Sequence, residues 1–404
     1  MADIHRQVRD DHPRLYFNSD SWPAIEQCAM EAESDHRRRL QADVDDLVGA
    51  EVEQEDHGTA AATAAFLFHL TGDDRYRDLG KDLLVASIGH YHDCYEANEA
   101  VSWESDSRIN AWAAYDWLFE DLPEDERTRL GTSFLDATEQ VQPTDEREQF
   151  EGENWSGPQS GFYGTRSLRW YAGLATLDEG IDDERARHFV EAGYEDYTDL
   201  LAYRSNAAGD VGGTASATIA YALGHYPWAE FNFFHTFESA TGESIAEDWA
   251  HVALLPAYYF WNQLPSAPDT GVREFGAGDA HHWTNEIREI HRLHMHLTQI
   301  SHFYGDEQPR AAQFAKWLRE RTPREMHPDQ LAFPLTRFFA HKIRPNLKPK
   351  GPPNDLDTAR LFRGMGQTFF RSGYSPDDTY ALFTADGQIA SHKHYDHNSF
   401  AIFK

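Results

Sequence analysis

Lysine is nearly absent from this chain. Only seven of 404 residues are lysine; arginine supplies the rest of the 36 basic residues, against 68 acidic ones, for a formal net charge of -32. A surface this negative repels a phosphate backbone, which excludes nucleic acid as a partner. Cysteine is scarce too. The two present, Cys28 and Cys94, make neither a disulfide framework nor a metal-ligand spacing, and read as small buried hydrophobes. No apolar run approaches the ~18 residues of a membrane span, so no membrane role is expected. Residues 1–15 are polar and charged and do not read as a signal peptide. The expected location is therefore cytoplasmic, with export left open.

The acidic excess does not mean disorder. Aromatic residues make up 13% of the chain, including 11 tryptophans, which is enough to build a core. Carboxylates on a folded surface repel one another in dilute buffer. Salt relieves that repulsion, because the Debye length falls to ~3 Å at 1 M. Acidic excess with scarce lysine is the pattern of a protein working in concentrated salt.

What is present is a recurring helical unit. Ala60–Leu70 is apolar on a helical period, Thr71-Gly72-Asp73-Asp74 breaks it, and Arg75–Ile88 resumes. The same unit returns as Ser167–Leu177, a Gly/Asp turn and Glu184–Tyr203, and again as Phe231–Ser239, Thr241-Gly242-Glu243 and Ile245–Asn262. Each is a helical hairpin with turn chemistry between its arms. Another helix, Asn110–Phe119, precedes Leu122-Pro123-Glu124-Asp125-Glu126-Arg127, where Pro123 and the acids suit a helix start. Hairpins must stack to bury their apolar faces. Because the repeat length varies, a closed toroid is expected rather than a regular solenoid.

The character changes at Pro345. Residues 345–355 hold four prolines, one glycine and two lysines, a linker composition. Three strand patterns follow, Gln367–Ser372, Thr379–Ala385 and Ser399–Phe403. Three strands are too few to stand alone, so they are expected to pack on the helices. The expected organisation is a mainly α chain: an incomplete (α/α) toroid over 1–345, a linker over 346–355, and over 356–404 the first strands of an antiparallel β-sandwich that continues beyond Lys404.

The densest chemistry lies just before the last strand, in His392-Lys393-His394-Tyr395-Asp396-His397-Asn398-Ser399-Phe400. In an extended segment His392, His394 and Asp396 project to one face. That spacing suits a metal-ligand pair or a general base with an orienting neighbour, and equally a solvated polar turn.

Several segments, in order, resemble the heparinase II/III-like polysaccharide lyases and the alginate lyases that share their architecture. They are His12-Pro13-Arg14-Leu15-Tyr16-Phe17; Ala114-Tyr115-Asp116-Trp117-Leu118 with the Leu122–Arg127 stretch; Glu153-Asn154-Trp155; Phe362-Arg363-Gly364-Met365-Gly366 with Arg371-Ser372-Gly373; and the closing histidine segment. The resemblance implies a toroid followed by a β-sandwich, with the active site between them. It also implies β-elimination on an acidic, uronic-acid-containing polysaccharide. That reaction needs a neutraliser for the sugar carboxylate, a base for the C5 proton and an acid for the departing O4.

On this resemblance Asn154 is the neutraliser, although it also reads as a helix N-cap. His392 matches the catalytic histidine. Tyr221 is the best match for the catalytic tyrosine, with Tyr226 in reserve. The acidic Glu-Gly pair expected ahead of that tyrosine is replaced here by Ser216-Ala217. A tyrosine has an ordinary pKa of ~10, so a base role needs nearby positive charge, which Arg166, Arg169, Arg204 or His225 can supply. Trp155, Arg166, Arg169 and Tyr226 are the candidate substrate-binding residues. His394 resembles a zinc ligand found in part of the family; zinc wants about four ligands, with Asp396 or His397 as neighbours to help. No other cofactor is implied. Asp279, in Gly276-Ala277-Gly278-Asp279, can orient a catalytic partner or cap a helix.

Two other readings compete. A toroidal glycoside hydrolase needs two carboxylates about 5 to 9.5 Å apart, and this chain has acids to spare. A non-catalytic carbohydrate-binding protein needs neither acid nor base.

Overall fold

Gly72 and Asp73 show how the hairpins are made. Gly72 takes a left-handed conformation, φ 67°, and its N–H closes the preceding helix on Phe68 O. Asp73 then caps the next helix by accepting from the Arg75 N–H at 3.0 Å. Asp182 caps the second arm of a later hairpin in the same way, accepting from Arg185 N at 3.2 Å.

The computed structural model describes residues 3–99, 101, 106–138, 165–214, 226–264, 290–321, 334–342, 344, 346–352, 357–375, 377–385 and 398–404. Among these the chain is mainly helical. The helices are α1 (Trp22–Gln27), α2 (Ser34–Asp45), α3 (Gly58–Thr71), α4 (Asp74–Ala97), α5 (Asp106–Trp117), α6 (Glu124–Thr138), α7 (Thr165–Thr176), α8 (Asp183–Ala208), α9 (Tyr226–Thr241), α10 (Leu255–Asn262), α11 (Ile290–Tyr304), α12 (Pro309–Arg319) and the single turn α13 (Thr336–Phe339).

The odd-numbered helices from α3 onward form an inner ring. Helix α3 packs on α5, α5 on α7 and α7 on α9. His235 Nε2 of α9 meets Gln299 Oε1 of α11 at 2.7 Å, and Gln299 Nε2 donates to Thr336 O of α13 at 3.0 Å. Phe338 of α13 then stacks on Phe66 of α3, ring centroids 5.1 Å apart, and closes the circle. Helices α4, α6, α8 and α12 lie outside, each against an inner partner. An inner helix meets protein on all sides, which is why α3 reads Gly-Thr-Ala-Ala-Ala-Thr-Ala-Ala-Phe-Leu-Phe with no polar face.

Near the C-terminus, β1 (Ala359–Phe362), β2 (Gln367–Arg371), β3 (Tyr380–Thr384) and β4 (Ser399–Phe403) form an antiparallel sheet in that order. The register aligns Phe362, Gln367, Thr384 and Ser399 across the sheet. Its inner face, with Phe362, Phe369, Tyr380 and Leu382, joins the helical core rather than forming one of its own. Arg371 anchors it: the guanidinium donates to the Trp261 and Gln263 carbonyls at the end of α10 and lies 5.1–5.9 Å from the rings of Phe260, Trp261, Tyr374 and Tyr380. The opposite face exposes Leu361, Phe370, Phe400 and Ile402.

Two expectations are corrected. The described residues form four strands rather than three, because Ala359–Phe362, of which only Phe362 fell in a motif, pairs with Gln367–Phe370. Ile245–Asn262 is not one helix. It is two 3-10 turns, Ala246–Trp249 and Val252–Leu254, followed by α10, because Pro256 has no N–H to continue a helix and belongs in a first turn. The 346–352 stretch, within the expected linker, is docked on α12: Lys350 N donates to Gln313 O at 3.0 Å, and Arg310 donates to the Lys350 and Gly351 carbonyls. Cys28 and Cys94 are buried free thiols, as expected, and burial pushes Cys28 up to about 12.

Candidate active site

Hairpin topology makes successive inner helices parallel, so their N-termini share one end of the ring. At that end Asn110 Nδ2 of α5 donates to Thr59 Oγ1 of α3 at 2.8 Å. Arg166 and Arg169 stand one turn apart at the start of α7 and turn to Asp196 on α8. Arg166 Nε donates to Asp196 Oδ1 at 2.6 Å, and Arg169 Nη1 lies 3.4 Å from Oδ2. Burial raises the Asp196 pKa, opposed by both arginines. Both arginine side chains stay partly accessible, at 25% and 30%.

Deeper at the same end, Arg204 of α8 donates to Glu230 of α9 at 2.6 Å, and both side chains are buried. Burial raises the Glu230 pKa and Arg204 opposes it. Arg204, one of the residues expected to supply positive charge to a tyrosine, is thus paired with Glu230. His251 lies close enough to Arg204 to feel its charge, and burial, with Arg204 adding to it, pushes its pKa down to about 3.

The sheet docks on this end as well. Arg360 of β1 lies 3.5 Å from Val211 O, just past α8. The turn after β1 packs so tightly that a side chain at Gly364 would overlap the Ala207 carbonyl, and Met365 packs against Gly213. Ala385 N, at the end of β3, donates to Gly366 O at 2.7 Å. The described residues that border 215–225 and those that border 386–397 are therefore neighbours.

Asn154, Trp155, Tyr221, His225, Asp279, His392, His394, Asp396 and His397 lie outside the described residues. Tyr226 is the first residue of α9, and its side chain lies outside them too. Of the expected site residues, the structure brings together Arg166 and Arg169. Sequence reasoning missed Asp196 and Glu230. The signal for Asp196 was available: Phe189, Gly193, Asp196 and Leu200 all fall on the buried face of α8, and a carboxylate there needs a cation.

Among the described residues no group of three or more His, Cys, Asp or Glu side chains is arranged to hold a metal ion. They supply no ligand set for the zinc that His394 suggests, so no step is derived through it. No described helix is long and apolar enough to cross a membrane. No family model matches the chain. No match emerges among curated proteins either.

Proposed function

We propose that this protein is a lyase that cleaves a uronic-acid-containing polysaccharide by β-elimination. The observation that carries the reading is the meeting, at one end of the ring, of the residues that border the Tyr221 and His392 segments, through Met365 on Gly213 and Ala385 on Gly366. The end also carries cationic groups. Parallel inner helices present their N-termini there, and Arg166 and Arg169 both reach Asp196 while their side chains stay partly accessible. That suits an anionic sugar on a protein whose overall charge of -32 repels one.

In this reading the Asn154 amide donates to the substrate carboxylate and to the charge that develops on it as C5 loses its proton. His392, neutral near pH 7, or the Tyr221 phenolate takes that proton. The electron pair forms the C4=C5 double bond, the C4–O4 bond breaks, and Tyr221 returns a proton to O4. Arg166 and Arg169 hold neighbouring carboxylates of the polymer.

The test is incubation with a panel of uronic-acid polymers, followed by ultraviolet absorbance of the new double bond conjugated to its carboxylate. Tyr221→Phe should lower turnover ~10²–10⁴-fold while leaving substrate binding nearly intact. New reducing ends without new absorbance would instead identify a hydrolase, and no reaction on any polymer would leave a binding protein.

A further inference from the structure

A groove of about 780 Å³ lies where α10, α12, the 346–352 segment and β1 meet. Arg360, which lies against Val211 O where the sheet docks on the ring, also lines it, so the groove adjoins the candidate active site. Its wall is aromatic: Phe260 and Phe314 meet edge to face, centroids 5.7 Å apart, with Trp261 beside them.

The polar lining sets the ligand class. Glu307 and Asp357 balance Arg310 and Arg360, so the groove selects for a neutral ligand. Arg310 is engaged by the Lys350 and Gly351 carbonyls at 2.8 and 2.7 Å, whereas Arg360 lies 3.5 Å from the Val211 carbonyl and its buried Nε has no hydrogen-bond partner among the described residues. The side chains of Glu307, Gln308 and Asp357 make no hydrogen bond among the described residues. The uncommitted polar ends are thus mostly acceptors, two carboxylates and an amide, beside one guanidinium N–H of Arg360. They call for a ligand rich in hydroxyl donors, while the aromatic wall calls for a flat apolar face. A sugar ring carries both at once, with hydroxyls at its edge and C–H groups on its faces.

We propose that this groove is a second carbohydrate site, one that takes a neutral sugar unit. It does not depend on the lyase reading. A chain of mixed composition would be held here by its neutral units while its acidic units lie elsewhere.

The probes are maltotriose, cellotriose and mannotriose, titrated against the full chain and followed by tryptophan fluorescence. Trp261 lines the groove and Trp317 lies 5.9 Å from the Phe314 ring. Trigalacturonate and tetramethylammonium are the counter-probes. At least one neutral trisaccharide should bind saturably, and Phe314→Ala should weaken it about tenfold. The surface variant Glu307→Gln/Asp357→Asn, which leaves the aromatic wall intact, should weaken it by a similar factor, with an unchanged circular dichroism spectrum. Failure of all three sugars to bind would overturn the proposal. So would binding that is indifferent to the Glu307/Asp357 variant, or either counter-probe binding as tightly as the sugars.

Discussion

His12 and Asp116 are paired across 104 residues of sequence, Nδ1 to Oδ1 at 2.6 Å. The other ring nitrogen of His12 meets Glu179 at 3.0 Å, and its ring stacks on Phe119. The backbone N–H groups of Arg14 and Leu15 donate to the same Asp116 carboxylate, and Arg14 donates onward to the Leu174 and Leu177 carbonyls. The His12–Phe17 and Ala114–Leu118 motifs are therefore two halves of one buried clasp that ties the N-terminal segment to α5 and to the α7–α8 turn. Removing Asp116 takes away the Nδ1 partner of His12 and the acceptor of two backbone N–H groups in the core. Asp116→Ala should cost about 3–5 kcal/mol, the range for breaking a buried ion pair, read as a lowered urea midpoint.

Stability should fall on acidification from pH 7 to pH 5. Burial lowers the pKa values of His36 (to about 4), His235 and His251 (each to about 3), and also those of His69, His302 and His341. These stay neutral in the fold, while in the unfolded chain they take protons below their ordinary value of ~6.5. The unfolded state then binds more protons, and each such histidine removes up to roughly 1 kcal/mol per pH unit. His12 acts in the opposite direction. Burial works to lower its pKa, but the Asp116 and Glu179 hydrogen bonds prevail and raise it. Its contribution is present below ~6.5 and is lost as pH rises through the raised value. Thermal midpoints across pH 5–8 should therefore decline on the acid side, and His12→Gln should steepen that decline. A flat acid limb would mean that the buried histidines carry their protons in the fold.

The hairpins were legible because Gly72 and Asp73 act locally, through their own backbone and the next turn. Pro256 was legible too, but the apolar run on both sides of it concealed the break. Strand β1 escaped because Arg360 interrupts its alternation, and a strand that short gains its identity only by pairing with β2. The destination of Arg166 was beyond reach from its own surroundings. Spacing along α7 sets which face it occupies, not which carboxylate of α8 it meets thirty positions on.

Gly364→Ala should loosen the sheet while sparing the ring. Its new methyl group would overlap the Ala207 carbonyl at the end of α8, and backbone cannot yield as a flexible side chain can. Hydrogen exchange should accelerate across 359–384, and α3–α8 should keep their protection. Unchanged exchange in the strands would show that the sheet is held by Arg371 and the aromatic contacts alone.

Unfolding midpoints should rise steeply from low salt to molar KCl. The repulsion among the carboxylates behind the net charge of -32 is screened as the Debye length shrinks from ~10 Å at 0.1 M to ~3 Å at 1 M. Little response would mean that local pairs, such as Arg75 with Asp73 and Arg77 with Asp74, already neutralise the surface.

The stack of Phe338 on Phe66 also sets an order of events during synthesis. Helix α3 is made early, and Phe66 meets Phe17, Trp22 and Trp117 from the same early part of the chain, yet its stack on Phe338 forms only when α13 leaves the ribosome. At ordinary elongation rates of about 5–20 residues per second, Phe66 waits many seconds for that partner. A nascent chain stalled anywhere in between is an open arc whose first helix still lacks its last partner, at a stage when most of the helices already exist.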